Sequence, residues 1–291
     1  MIVTTLFGGL GNQMFIYAMA RALALRNNTQ LVLDTKSGFK RDFVFKRKYA
    51  LSNFPINHVN NSLLSFDFLG GYILKKISKM MGRHLFAPNY LIQNEVSNFK
   101  FEDKWVDNSF DNIIVNGYWA NEKYFKDFED QIREDFTFKN IEFSNEVKKQ
   151  ENLIKNSNGT PIAVGVRTYN EIADNAIRSK GFFTVKEDFY KRSMALIKQK
   201  IPDAVFYVFT QDFEWVKNNL DFNLFNIILI DAKESEDRDI GDIYLMTCCK
   251  HYIISNSTFY WWGAWLNNSS KKLVVVSKEW TNCAKDSWIK L

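Results

Sequence analysis

Cysteine is scarce in this chain of 291 residues, which has only the adjacent pair Cys248 and Cys249 and the distant Cys283. That spacing indicates neither a disulfide framework nor a zinc site, and it is typical of a protein in a reducing compartment. Long hydrophobic runs are missing too, since no stretch approaches the roughly 18 apolar residues of a membrane-spanning helix. The chain also enters a strand-like segment directly, without a basic and apolar leader. We therefore expect a cytoplasmic protein.

A large excess of one charge is also absent. The net charge is +5 and the isoelectric point is about 8.9, which suits an anionic small ligand. No arginine-rich tract, RNP signature or zinc-finger spacing accompanies that charge, so we expect no nucleic-acid partner. The three histidines also lack the spacing of metal ligands.

One amphipathic segment qualifies this picture. Between Tyr72 and Phe86, apolar residues recur at helical spacing, and three lysines and Arg83 fill the other side. A helix that packs on the core with a solvated basic side is the simplest interpretation. Adsorption to an anionic membrane surface is the alternative, and a lipid-linked acceptor would make that peripheral contact useful.

The N-terminal segment predicts a βαβ unit. Ile2–Phe7 has the pattern of a buried strand, Asn12–Arg26 that of a helix, and Leu31–Asp34 that of a second strand. Glycines at the first junction allow close backbone approach to a ligand or to another segment. The dinucleotide fingerprint is not met, because Met14 stands where the third glycine belongs. No phosphate-binding loop of the Walker type occurs elsewhere in the chain.

The C-terminal half has a regular pattern of short apolar strands that alternate with helical segments. The strands are 162–166, 205–209, 227–230, 252–254 and 273–276, and a capping box at Thr184–Glu187 opens the first helix between them. Continuous apolar strands predict a parallel sheet covered on both faces. Upstream, 113–115 predicts a strand, 121–136 a helix, and 142–160 a helix followed by a linker. We predict two α/β domains, 1–155 and 156–291, that face each other across a cleft.

Three motifs resemble glycosyltransferase family 11, the α-1,2-fucosyltransferases, in the order that the family has them. They are Gly8-Gly9-Leu10-Gly11-Asn12-Gln13-Met14-Phe15-x-Tyr17-Ala18, Asn116-Gly117-Tyr118-Trp119-x-x-Glu122-Lys123-Tyr124-Phe125, and the segment from Asp242-Ile243 through Ser255-Asn256-Ser257-Thr258-Phe259-x-Trp261-Trp262-Gly263-Ala264-Trp265-Leu266. The resemblance implies a GT-B-like fold of two Rossmann-like domains. It places the acceptor mainly on the N-terminal half and the nucleotide mainly on the C-terminal half.

The activity implied is inverting transfer of L-fucose from GDP-fucose to the 2-hydroxyl of a galactose-type acceptor in bacterial surface-glycan synthesis. Another nucleotide sugar on the same scaffold is one alternative, and a catalytically silent carbohydrate-binding homologue is another. Residues that the resemblance assigns to the cleft for donor and acceptor are Gly9, Gly11, Asn12, Gln13, Tyr118 and Trp119.

Arg167 directly follows a predicted strand and is our main catalytic candidate. Breaking a sugar–diphosphate bond builds negative charge on the leaving group, and a fixed arginine can neutralise that charge through two parallel hydrogen bonds. An ordinary surface salt bridge is the alternative. The family's pattern at this point is His-x-Arg-Arg-x-Asp-Tyr, whereas this chain has Gly165-Val166-Arg167-Thr168-Tyr169-Asn170-Glu171.

Asn170 stands where the family has its acid, and an amide cannot accept the acceptor's proton as a carboxylate does. Glu171 is displaced by one residue and Asp174 lies just beyond, so either carboxylate is a candidate general base. Plain solvation in a loop is the alternative for both.

Two further strand ends supply donor-binding candidates, because ligands bind beyond the carboxyl ends of parallel strands. Asn256, Ser257 and Thr258 precede an aromatic helix, and their side chains and the helix N–H groups suit a diphosphate. We expect most of the aromatic residues of that helix to pack in the core. Thr210, Gln211 and Asp212 are candidates for the guanine or the ribose, with helix capping by Thr210 as the alternative.

Asp237-Arg238-Asp239 matches the Asp-x-Asp pattern of metal-dependent glycosyltransferases. Three residues in an acidic loop are weak support for a metal site, so we expect no metal and no cofactor besides the co-substrate GDP-fucose. A hydrolase with paired acids is another alternative, but nothing in the sequence singles out a pair.

Overall fold

The structure, a computed structural model, describes residues 1–40, 42–43, 45–60, 91–94, 100–106, 112–169, 185–231 and 237–291. The chain forms two compact units, Met1–Ile141 and Glu142–Leu291. Each unit is built on its own parallel sheet. The amphipathic segment 72–86 lies outside the described residues, and no helix of the described part is long and apolar enough to cross a membrane.

The first unit has a five-stranded parallel sheet in the order β3-β2-β1-β5-β4. Its strands are β1 Ile2–Thr5, β2 Leu31–Asp34, β3 Val59–Asn60, β4 Leu91–Asn94 and β5 Ile113–Asn116. Helix α1, Leu10–Arg26, joins β1 to β2 and is buried along most of its length, as expected of a helix that is apolar on nearly every side. The predicted βαβ unit is confirmed, with β1 ending earlier and α1 starting earlier than predicted.

The single helix predicted over 121–136 is wrong. Two 3₁₀ turns, Glu122–Tyr124 and Lys126–Phe128, precede a short helix α2, Glu129–Asp135. The side chain of Asn121 accepts a hydrogen bond from the backbone N–H of Lys123, which closes the first turn locally. Sequence periodicity alone does not distinguish a series of short turns from one continuous helix.

The second unit has a six-stranded parallel sheet in the order β11-β10-β9-β6-β7-β8. Its strands are β6 Thr160–Val166, β7 Ala204–Thr210, β8 Ile227–Leu229, β9 His251–Ile254, β10 Val274–Val276 and β11 Ile289–Lys290. The helices are α3 Asn145–Lys155, α4 Glu187–Lys200, α5 Phe213–Asn219, α6 Arg238–Thr247 and α7 Thr258–Leu266. All five predicted strands are confirmed, and β6 lies at the centre of the sheet between β9 and β7.

Two boundaries differ from those predicted. Helix α4 begins at Glu187 after Lys186, which makes no side-chain cap, and Thr184 of the predicted capping box lies outside the described residues. Helix α3, which we placed before the domain boundary, lies in the second unit. Its N-capping residue Ser144 bonds Asp237, and the preceding Phe143 ring stacks on Tyr244 with 4.4 Å between ring centroids.

Candidate active site

Arg167 is the first residue after β6, at the carboxyl edge of the second sheet. Its Nη1 donates to Oε1 of Gln211 at 2.6 Å, and its Cζ lies 4.5 Å from the ring centroid of Tyr169. Tyr169 has a φ of 55°, an uncommon value for a residue with a side chain. The guanidinium is therefore placed by neighbours from two strand ends, with the charge at the edge where parallel sheets bind ligands.

Asp212 organises the end of the neighbouring strand. It is the N-cap of α5, where its Oδ1 accepts from the backbone N–H of Trp215 at 2.9 Å. Its Oδ2 accepts from the hydroxyl of Thr168 at 2.9 Å, and its own N–H donates to Oγ1 of Thr210. The alternative that Thr210 caps the helix is wrong, because Asp212 does so. Both side chains are occupied in building the loop that holds Gln211 beside Arg167.

The end of β9 brings the third group of candidates next to Arg167. Because Gly165 pairs with Ile254 across the two strands, Asn256 follows β9 close to where Arg167 follows β6. The hydroxyl of Tyr169 donates to the backbone carbonyl of Asn256 at 3.0 Å and ties the two loops together. The structure thus gathers Arg167 and the start of α7 at one edge, as the motifs predicted.

Helix α7 begins at Thr258 with Ser257 as its N-cap. The Ser257 side chain makes no capping hydrogen bond. Trp261, Trp262 and Trp265 are fully buried, which confirms that most of the aromatic residues of this helix pack in the core, although Phe259 is only half-buried. The N-terminal turn of α7 therefore carries its polar residues at the strand edge and its tryptophans inside.

Sequence reasoning missed Arg238 and Asp242, which lie one turn apart on α6. Nη2 of Arg238 donates to the carbonyl of Thr210 at 3.0 Å, and its Nε lies 3.8 Å from Oδ2 of Asp242. Burial raises the pKa of Asp242 to about 7, against the opposing effect of Arg238. The signal was present in the sequence, since Asp242 opens the C-terminal motif and Arg238 precedes it by one helical turn.

The Asp-x-Asp pattern has a structural explanation in this fold. Asp237 accepts 2.9 Å hydrogen bonds from both the backbone N–H and the hydroxyl of Ser144, which anchors the start of α3. Arg238, the middle residue, is directed to the end of β7. Within the described ranges, no group of three or more histidine, cysteine, aspartate or glutamate side chains could hold a metal ion.

The glycine-rich turn of the first unit lies after β1. Gly8 has a φ of 76°, a left-handed conformation that glycine adopts without strain, and Gly9 is the N-cap of α1. Gln13 is buried and uses its whole amide, donating to the carbonyls of Gly8 and Lys48 and accepting from the N–H of Ala50. Its interactions favour a role in holding the 48–50 loop rather than direct contact with an acceptor.

The predicted acceptor-side aromatic residues follow β5 and differ from each other in exposure. Tyr118 is half-buried and packs edge-on against Phe7, with 4.8 Å between ring centroids. Trp119 is fully buried, has a φ of 53°, and contacts Trp105 and Tyr124. Of this pair, only Tyr118 is partly accessible to solvent, so it is the better candidate for a ligand contact.

A second group near the glycine turn was also missed by sequence reasoning. The Arg47 guanidinium carbon would lie 3.8 Å from a Cβ placed on Gly9, and it lies 5.3 Å from the ring centroid of Phe45. The carboxylate of Asp42 accepts from the N–H groups of Phe45 and Arg47 and shapes this loop. A cation therefore lies at the start of α1. The remaining candidates Glu171 and Asp174, like Asn170, lie outside the described residues.

Two α/β units, each built on a parallel sheet, are the architecture of the GT-B class of folds. The family model for glycosyl transferase family 11 matches residues 1–287. The chain belongs to that family, which confirms the resemblance seen in its motifs.

Two relatives from Escherichia coli are similar over most of the chain. An alpha-1,2-colitosyltransferase is 28% identical over 259 residues, covering 87% of this chain and 83% of the relative. The O-antigen biosynthesis glycosyltransferase WbnK is 27% identical over 320 residues, covering 98% and 99%. Among solved structures, an Arabidopsis thaliana FUT1 mutant in complex with GDP matches with a TM-score of 0.54 at 14% identity, covering 94% of this chain and 69% of that one. This match supports the fold.

Proposed function

We propose that this enzyme transfers L-fucose from GDP-fucose to the 2-hydroxyl of a galactose-type acceptor, with inversion at the anomeric carbon, in bacterial surface-glycan synthesis. The observation that carries the proposal is the position of Arg167 beside the start of α7 in a chain of family 11. The α-1,2 linkage is supported by the name of the colitosyltransferase relative, and GDP by the plant FUT1 complex.

The proposed reaction is one displacement. The acceptor oxygen attacks the anomeric carbon while the bond from that carbon to the β-phosphate oxygen breaks, and GDP leaves with the bonding electron pair. Arg167 then faces the charge that develops on the diphosphate, where a fixed charge is most effective. The N–H groups at the start of α7 and the hydroxyls of Ser257 and Thr258 bind the same phosphates. The acceptor proton passes to a carboxylate, with Glu171 as the first candidate and Asp174 as the second.

A second donor is favoured by a specific observation, the 28% identity to an alpha-1,2-colitosyltransferase across 87% of the chain. Colitose lacks the 3-hydroxyl of fucose, so the two GDP-sugars differ by one polar group. A site that hydrogen-bonds that hydroxyl discriminates strongly against the donor without it, whereas an apolar site does not. The identity of the donor is therefore a direct experimental question.

The test is incubation of the purified protein with GDP-fucose or GDP-colitose, each with and without a β-galactoside, followed by measurement of released GDP and of the product linkage. We expect GDP release that depends on the galactoside and an α-1,2-linked product with GDP-fucose. Turnover with GDP-colitose alone would reassign the donor. A protein that binds a galactoside but turns over neither donor would be the silent carbohydrate-binding homologue.

We also propose that the enzyme works on the cytoplasmic side of the membrane on a lipid-linked acceptor. The proposal rests on the amphipathic basic segment 72–86 in the sequence. Co-sedimentation with anionic vesicles at low and high salt tests it. We expect binding that weakens with salt, and equal recovery with neutral and anionic vesicles would remove the membrane contact from the proposal.

A further inference from the structure

The ring of Tyr260 fills the space that a side chain at position 165, two residues before Arg167, would need. Gly165 is the penultimate residue of β6, and a Cβ built on it would lie 2.3, 2.5 and 2.8 Å from three ring carbons of Tyr260, which is on α7. Atoms that are not bonded do not approach so closely, and the nearest carbon is the one that joins the ring to the chain. A side chain at position 165 and the ring at position 260 therefore exclude each other.

The Tyr260 hydroxyl meets the end of the same strand. It donates to the carbonyl of Val166 at 3.0 Å in a buried setting, and Val166 is the residue directly before Arg167. Burial raises the pKa of the Tyr260 phenol well above its ordinary value, so it stays a donor over the whole working range of pH. One side chain thus fills the space over Gly165 and fixes the peptide from which Arg167 extends.

Gly165, the residue before Val166 on β6, stands where the family pattern has a histidine. With Tyr260 in its observed position, a histidine at 165 has no room. The chain thus combines the absence of a side chain at position 165 on β6 with a large side chain at position 260 on α7, and the tyrosine ring fits because position 165 has no Cβ. Because Tyr260 bonds Val166, the residue directly before Arg167, its packing against Gly165 influences the position of Arg167.

We propose that Tyr260 is a positioning residue for Arg167 and that Gly165 and Tyr260 act as one interdependent pair. The inference rests on the proposed function, in which Arg167 faces the diphosphate. Through its hydrogen bond to Val166, Tyr260 holds the last peptide of β6, and the direction of that peptide sets where the guanidinium points. A shift of about 1 Å in a charged group at a reacting centre is enough to lower a rate substantially.

The first test is Tyr260→Phe, which keeps the ring and removes the hydroxyl, measured alone and together with Arg167→Ala. We expect a loss of roughly tenfold in kcat for Tyr260→Phe with little change in the KM for the acceptor. In the Arg167→Ala background the same substitution should change kcat less than twofold, because the group it positions is gone. An equal loss in both backgrounds would show a general structural role and overturn the proposal.

The matched control is Tyr252→Phe in the same unit. The Tyr252 hydroxyl is also buried, but it donates to the carbonyls of Met246 and Cys249, on the amino side of the sheet. Tyr252→Phe should lower the melting temperature at least as much as Tyr260→Phe does, while leaving kcat unchanged. A tenfold loss of kcat in this control would mean that kcat follows stability and would overturn the proposal.

The second test addresses the steric half of the pair. Gly165→Ala should lower both the melting temperature and kcat, because the new Cβ displaces the ring and breaks the bond to Val166. Tyr260→Ser should lower the melting temperature less in the Gly165→Ala background than in the wild type, because there it also removes the clash. Tyr260→Phe should give no such relief, since the clash involves ring carbons. A Gly165→Ala protein with normal stability and turnover would overturn the interdependence.

Failure of the proposed function has a different signature. It would appear as wild-type protein that neither binds GDP in calorimetry nor releases it from either donor. If the wild type binds GDP without measurable transfer, the same comparison is made on GDP affinity. In that case Tyr260→Phe should weaken GDP binding severalfold in the protein that has Arg167 and leave it unchanged in the Arg167→Ala background. Equal weakening in both backgrounds would overturn the positioning role.

Discussion

Thr168 and Asp212 join the ends of two neighbouring strands through a hydrogen bond of 2.9 Å from hydroxyl to carboxylate. Thr168 is buried and immediately follows Arg167, while Asp212 caps α5 and adjoins Gln211. The family pattern has a second arginine at position 168, so the chain has replaced a cation with a small hydroxyl. That hydroxyl connects the loop of Arg167 to the loop that supplies its hydrogen-bonding partner.

This connection predicts a coupled loss of stability. Thr168→Val and Asp212→Ala should each lower the free energy of unfolding by about 1–3 kcal/mol, because each removes this part-buried hydrogen bond and Asp212→Ala also removes the cap of α5. The double variant should lose clearly less than the sum of the two. Thr160→Val is the control at the other end of β6, where the hydroxyl bonds Asp203 in an exposed setting and should contribute little. Chemical denaturation measures all four, and strict additivity would contradict the coupling.

Substitution of Arg167 should lower turnover strongly and change stability little. Arg167→Ala should lower kcat/KM roughly a hundredfold or more, several kcal/mol of transition-state stabilisation. Arg167→Lys should recover little, since a single ammonium lacks the two parallel donors of the guanidinium. Arg192→Ala is the matched control, because Arg192 is a half-exposed arginine of α4 that pairs with Asp188 in its own helix. Near-normal turnover in Arg167→Ala would remove this residue from the mechanism.

A third prediction concerns metals. If Arg167 and the start of α7 neutralise the diphosphate, the enzyme needs no divalent cation for that purpose. Transfer activity should therefore persist after treatment with EDTA, and added Mg²⁺ or Mn²⁺ should change the initial rate less than twofold. Loss of activity that Mn²⁺ restores would contradict this assignment and make Asp237 and Asp239 candidate metal ligands.

Asp242 predicts a dependence of stability on pH. Its folded pKa of about 7 lies above the ordinary value, so the folded state retains a proton that the unfolded state has released. The protonated Asp242 contributes its full stabilisation of the folded state below about pH 4, and this contribution is lost as the pH rises to 7. Asp242→Asn should therefore be more stable than the wild type at pH 8 by about 1–2 kcal/mol, less than the full shift implies because the substitution also removes the attraction to Arg238. Urea unfolding at pH 4.5 and pH 8 measures this, and an unchanged difference between the two pH values would refute it.

The sequence predicted those features of the site that are local. Strands such as Thr160–Val166 are apolar throughout because both faces of the sheet are covered, and that pattern is readable without coordinates. The placement of Arg167 and Asn256 at adjacent strand ends follows from the same pattern once the family resemblance supplies the fold.

The contacts between distant segments could not be predicted. Tyr260 meets Gly165 and Val166, which lie nearly a hundred positions earlier in the chain. Gln13 appears in a family motif as a polar residue available for substrate, yet its amide is used by Lys48 and Ala50. A side chain's hydrogen-bonding capacity is visible in a sequence, but the partner that satisfies it is set by tertiary structure.

The last prediction concerns the general base. Asn170 replaces the acid of the family pattern, and an amide is too weakly basic to take a proton from a sugar hydroxyl. A base converted to its amide should lose roughly 10²–10⁴ in kcat with GDP affinity nearly unchanged, because the donor contacts remain. We expect this result for Glu171→Gln, the first candidate, and otherwise for Asp174→Asn. Asn170→Asp restores the acid of the family pattern and should preserve or raise turnover.

The measurement is kcat from GDP release together with GDP affinity from calorimetry for each variant. A solvated acid of the same charge, Glu187 at the start of α4, serves as the control, and Glu187→Gln should leave kcat unchanged. If Glu171→Gln and Asp174→Asn both keep wild-type turnover, neither carboxylate is the base.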